Sequence, residues 1–126
     1  MEGYGALVLR VILGAIFIMH AYFGFFVIGP AGMAKYFVDA HLPFPQLGVW
    51  YVILAHGVGG ICLLLGVLAS WAALANIPVM AGAFYFLHLK QGFFMTPEGG
   101  YEYSLLLLGA TVAQALLGPG SFTLKK

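Results

Sequence analysis

The chain has 126 residues, of which 63% are hydrophobic and 7% charged, with a formal net charge of +1. A soluble domain carries about a quarter of its residues as charges, so the surface of this chain must face lipid, and its balance of charge excludes the basic stripe of a nucleic-acid-binding protein. One cysteine, Cys62, excludes an internal disulfide and a cysteine-based metal cluster, and the length fits a single domain over residues 1–126.

Four long apolar runs predict an all-α, integral membrane four-helix bundle, with helices over about residues 5–28, 48–68, 71–89 and 101–117. The first run lacks a basic segment before it and is long enough to span, so it reads as a helix rather than a cleaved signal peptide. Its one charge is Arg10, and Gly29-Pro30 ends it. Residues 31–45 form a mixed connector, with a short interfacial helix expected near Met33 to Phe37. Leu42-Pro43-Phe44-Pro45 cannot continue a helix, because proline lacks an amide donor and restricts the residue before it. The second helix follows from Gly48. Ala69-Ser70-Trp71 reads as a tight turn, so the second and third helices are antiparallel neighbours. Pro78 is expected to kink the third helix, with Asn76 as an intramembrane polar group beside it. A loop with Gly92, Pro97, Gly99 and Gly100 precedes the fourth helix, which Gly118-Pro119-Gly120 stops.

Small residues recur on all four spans, among them Gly14, Gly59, Gly60, Gly82 and Gly109. In lipid they let helix backbones approach closely, and packing is their default role. Four passes return both termini to one side. Arg10, Lys125 and Lys126 on that side make it cytoplasmic by the positive-inside rule, in a bacterial or archaeal cell membrane.

The ionisable groups within the spans are Arg10, His20, His56 and His88, with Glu102 at the start of the last helix. Charges are costly in the bilayer, so each is a candidate functional residue. A rise of 1.5 Å per residue puts His20 about 22 Å along the first helix, and His56 about 12 Å in from the opposite face. His88 occupies the last turn of the third helix and Glu102 the first turn of the fourth. His20, His56, His88 and Glu102 therefore fall in one half of the membrane. Arg10 and His20 are about 80° apart around their helix, so they can share a broad inner face at different depths.

Each group has a plainer reading. The histidines can bond across helices, Glu102 suits a helix N-terminus, and Arg10 can snorkel to the interface. Tyr101 and Tyr103 flank Glu102 and belong either to the site or to an aromatic belt.

Three histidines and a carboxylate at one depth permit three kinds of role. A quinone headgroup needs hydrogen-bond donors and a proton path, which histidine and carboxylate supply. A haem or a metal ion is the alternative, with His20, His56, His88 and Glu102 as ligands from separate helices. The third role is a non-catalytic anchor or scaffold subunit. The quinone reading makes the protein a subunit of a quinone-linked oxidoreductase. The expected partners are the lipid bilayer and a redox subunit or further copies of the chain, with no nucleic acid.

The segments His88-Leu89-Lys90-Gln91-Gly92-Phe93-Phe94, Gly99-Gly100-Tyr101-Glu102-Tyr103 and Gly118-Pro119-Gly120-Ser121-Phe122-Thr123-Leu124 resemble the C-terminal half of the DoxX family. Leu9-Arg10-Val11-Ile12-Leu13-Gly14, with Phe17 and His20, resembles its first helix, and Gly57 to Gly66 its second. The resemblance implies a four-span membrane protein associated with redox systems, similar to subunits of thiosulfate:quinone oxidoreductase. It matches the family's arginine to Arg10, its histidines to His20 and His88, and its glutamate to Glu102. Two positions depart from the pattern. His56 stands where a glutamate commonly precedes the double glycine, which keeps a proton-active group and adds metal- or haem-ligand capacity. Apolar and aromatic residues around Phe25 replace a lysine that commonly follows the first histidine.

Overall fold

The computed structural model describes residues 2–97 and 99–123. Lys125 and Lys126, which entered the expected orientation, and Leu124, which closes the DoxX-like tail, lie outside the described residues.

Helix α1 spans Glu2–Tyr22, a stretch without proline and rich in Leu, Ile and Ala. It widens into π-helical turns over Phe23–Ile28 and stops at Gly29, whose φ of 85° suits glycine and strains other residues. Pro30 then opens α2 (Pro30–Asp39) at the first helical position, where a missing amide costs nothing. The expected connector is thus a ten-residue helix. Ala34 and Phe37 pin it against Val49 of the next helix.

Helix α3 runs over Pro45–Leu65. It starts three residues ahead of the predicted position, because Pro45 fits a first turn as well as Pro30 does. Gly66, at φ 73°, ends it. The tight turn falls at Gly66 to Leu68 rather than at Ala69 to Trp71, since Ala69 already opens α4 (Ala69–Gly82). Helix α4 continues through Pro78 without a break, into π-helical turns over Ala83–His88 and a 3-10 turn over Leu89–Gln91. Tyr51 donates to the Ala75 carbonyl at 2.6 Å, beside the stretch where Pro78 supplies no amide. Helix α5 spans Glu102–Leu117 and stops at Gly118, φ 78°. No strand occurs among the described residues.

Three helices are long and apolar enough to cross a membrane: Gly3–Ile28, Pro45–Leu65 and Ala69–Gln91. The shortest has 21 residues, about 32 Å of helix against a core of about 30 Å. The 16-residue α5 is apolar but shorter, about 24 Å long, and packs along α4 as the fourth member of the bundle. Large apolar side chains such as Trp71, Phe26 and Leu116 lie exposed on the outer surface, as lipid contact requires.

A close backbone approach joins α1 to α3. A Cβ added at Gly14 would lie 2.8 Å from the Gly60 carbonyl, and one at Gly60 would lie 2.9 Å from the Gly14 carbonyl. The small residues act as predicted here, by letting two backbones touch. Leu13, Phe17, Leu63, Ala73, Met80 and Leu107 fill the core between the four long helices. The Ser121 amide donates to the Gly3 carbonyl at 3.0 Å. The described ends of the chain therefore meet at one end of the bundle.

Candidate functional site

The buried centre of the site is a pair of side chains that links α3 to α4. His56 is 5% exposed and Asn76 is fully buried. His56 Nδ1 lies 2.6 Å from Asn76 Oδ1. The amide nitrogen of Asn76 donates to the Ala55 carbonyl at 2.8 Å and to the Ala72 carbonyl at 2.9 Å. Both carbonyls only accept, so the NH2 end of the amide is identified by its neighbours. Gly59 makes room for it: a Cβ there would lie 2.7 Å from Asn76 Nδ2. The imidazole of His56 stacks on Phe17 with centroids 4.6 Å apart and planes 6° apart.

His56 lines a cavity of about 610 Å³ in the half of the bundle where α1 and α4 end. His20 and His88 line it too, and the two imidazole centroids of His20 and His56 are 6.0 Å apart. Tyr103 and Ser104 contribute from α5, and the rest of the wall is mainly apolar, including Met33, Phe37, Val52 and Leu87. Both π-helical segments contribute wall residues, Gly24 and Ile28 from one and Ala83 and Leu87 from the other. Widened turns of this kind recur at functional sites.

His20 is exposed, and with Tyr103 it also borders a shallower cleft of about 290 Å³ alongside Ala15, Ile16 and Met19. These two side chains therefore stand between the cavity and the lipid-facing surface of α1 and α5. His88 lies 3.2 Å through Nδ1 from Gln91 Oε1, and that same oxygen accepts from the Gly100 amide at 2.9 Å.

The other predicted site residues lie elsewhere. Glu102 and Tyr101 are not in the cavity wall. Glu102 Oε1 accepts from the Met95 amide at 3.2 Å, which ties the loop to the start of α5. Tyr101 packs edge-on to Phe84 and Phe93, with centroids 5.3 and 5.4 Å away. Arg10 is 1% exposed and sits ten residues before His20, about 15 Å along the helix. Its guanidinium donates to the carbonyls of Leu63 and Leu64 at 2.9 Å, Pro119 and Ser121 at 2.8 Å, and Phe122 at 2.6 Å. All five donors are satisfied. They cap the C-terminal end of α3, where the helix dipole favours a cation, and they hold the tail against the bundle. Among the described residues, no group of three or more His, Cys, Asp or Glu is placed to hold a metal ion.

Sequence reasoning singled out Asn76 as an intramembrane polar group but did not pair it with His56. It passed over the share of α2 in the wall, where Gly32, Met33, Tyr36 and Phe37 face the cavity. Ser104 was also missed, although a hydroxyl two residues past Glu102 in an apolar helix is a visible signal.

No curated protein and no solved structure matches the chain. The DoxX family profile matches residues 5–89, which takes in α1 through His88 and leaves the loop, α5 and the tail outside the match. The match spans two thirds of the sequence and contains Arg10, His20, His56 and His88, and the chain is a membrane protein of the DoxX family.

Proposed function

We propose that this protein is the membrane subunit of a redox system and binds a quinone, or a similar redox-active ligand, in the cavity between His20, His56 and His88. The observation that carries the reading is the cavity itself. Its volume of about 610 Å³ falls in the range of about 300–1,000 Å³ common to small-molecule sites. An apolar wall with a few convergent polar groups is the usual composition of such a site. The apolar surface suits a ring and the start of a hydrocarbon tail. His20, His56, His88, Tyr103 and Ser104 supply hydrogen-bonding partners for oxygens on the ring. The lipid-side cleft at His20 and Tyr103 offers a long tail a way out into the bilayer.

Binding would hold the headgroup near one face of the membrane, within reach of a redox partner. The imidazoles provide proton acceptors and donors between the headgroup and the aqueous edge. The electrons come from or go to that partner, so the chain acts as a subunit rather than as a complete enzyme.

The test is an oxidised-minus-reduced difference spectrum of the protein purified in mild detergent and reconstituted with decylubiquinone. A change confined to the ultraviolet, present in the wild type and lost in His56→Ala with helicity retained, is the expected result. A visible-region band would instead assign haem or a coloured metal to the same histidines. No bound quinone in the wild type would leave the anchor role.

A further inference from the structure

Two histidines of the cavity are each held in one tautomer, and this sets which redox form of a ligand they accept. At His56 the tautomer is fixed by Asn76. Its Nδ2 donates to the carbonyls of Ala55 and Ala72, so the atom 2.6 Å from His56 Nδ1 is an amide oxygen. An oxygen there can only accept, so the proton sits on Nδ1. Nε2 is then the bare, accepting nitrogen of the neutral ring. It has no partner among the described residues, and the one buried side-chain polar atom without a partner among them is Gln114 Oε1. His56 Nε2 therefore keeps accessible surface, and the cavity is the space that His56 lines.

His88 repeats the arrangement. Gln91 Oε1 accepts from the Gly100 amide, which identifies it as the oxygen, and His88 Nδ1 lies 3.2 Å from it. Here too Nδ1 donates and Nε2 accepts. No carboxylate lines the cavity among the described residues, so an imidazolium there would have no counter-charge in an apolar wall. The hydroxyls of Tyr103 and Ser104, and the ring of His20, which no partner among the described residues holds in one tautomer, both donate and accept and do not discriminate, unlike His56 and His88. Those two imidazoles do, since a carbonyl oxygen placed on Nε2 would set acceptor against acceptor, whereas a hydroxyl would donate to it.

We infer that the site selects a ring bearing hydroxyl donors, the reduced quinol form over the oxidised quinone, and that Asn76 is the positioning residue that fixes His56 as an acceptor. This rests on the proposed quinone site. It assigns to Asn76 a role beyond joining two helices.

The experiment measures binding of decylubiquinol and of decylubiquinone, under anaerobic conditions, to the full chain in lipid nanodiscs. The quinol is expected to bind about tenfold or more tightly than the quinone, the cost of leaving a buried acceptor unsatisfied. Asn76→Leu is expected to narrow the gap between the two affinities, because the freed His56 ring can then donate through either nitrogen while His88 keeps its tautomer through Gln91. Nitrogen-15 NMR of histidine-labelled wild type, without ligand, is expected to show His56 protonated on Nδ1, and it decides the tautomer even where the Leu variant does not fold. Equal affinities, a preference for the quinone, or a proton on Nε2 would overturn the inference and leave the quinone site standing. Failure of either form to bind would overturn the site and the inference together.

Discussion

His56 on α3 and Asn76 on α4 meet at 2.6 Å through Nδ1 and Oδ1, and both side chains are buried. Unpaired polar groups are costly in lipid, so this contact fixes the mutual rotation of two helices as well as the ring of His56. The amide also satisfies two backbone carbonyls. One residue thus ties the wall of the cavity to the packing of the bundle.

Replacing Asn76 by Ala should lower stability by about 1–3 kcal/mol, since it strands a buried imidazole N–H. Gly59→Ala should act in the same direction, because its new Cβ would lie 2.7 Å from Asn76 Nδ2 and force the amide out of place. Thermal unfolding in detergent measures both. A melting temperature equal to that of the wild type in both variants would rule out the role given to this contact.

Arg10 separates a structural group from a ligand-binding one. Its five carbonyl partners hold the α3 terminus and residues 119–122 together. Arg10→Lys keeps the charge but offers three donors in place of a planar fork of five. It should loosen the tail, read as faster proteolysis after Gly118, and leave ligand affinity within about a factor of two of wild type, in keeping with a surface-independent role away from the cavity. Arg10→Ala should cost about 3 kcal/mol or more, as expected on losing several charge-assisted bonds. Loss of ligand binding by a stable Arg10→Lys variant would move this residue into the site.

The Gly14–Gly60 contact should tolerate no side chain. Gly14→Leu would drive its Cβ to within 2.8 Å of a backbone carbonyl that cannot give way. A loss of about 1–3 kcal/mol, typical of overpacking, is expected. Gly109→Leu serves as the control, because a Cβ there meets nothing within 4 Å. Unfolding of the two variants side by side checks the difference.

Much of the site could be read from the chain because depth along a helix is a one-dimensional quantity. Counting residues from each predicted span end put His20, His56 and His88 in one half of the bilayer, and all three line the same cavity. Rotation about each helix is set by packing between helices, and the sequence does not carry it directly. That is why Glu102 opens the fourth helix as expected yet bonds the Met95 amide in the loop, and why the twenty-residue separation of His56 and Asn76 gave no sign of their contact. Proline misled at the helix starts. Pro30 and Pro45 read as breaks, but both occupy first turns, and so α2 was reduced to a fragment and its share of the cavity wall went unseen.

If the cavity holds the ligand, filling the cavity must expel it. Gly82 lines that space, has ordinary helical backbone angles at the end of α4, and a Cβ added there meets nothing within 4 Å. Gly82→Phe should therefore occupy the space without straining the helix, and a residue better than glycine in a helix should not lower its stability. The decisive quantity is the affinity of Gly82→Phe for decylubiquinol in nanodiscs, determined beside its melting temperature. A variant as stable as the wild type should bind about tenfold more weakly or worse, the loss of roughly 1.4 kcal/mol or more of binding free energy. A stable variant with unchanged affinity would refute the cavity as the binding site, because the ligand would then lie somewhere else.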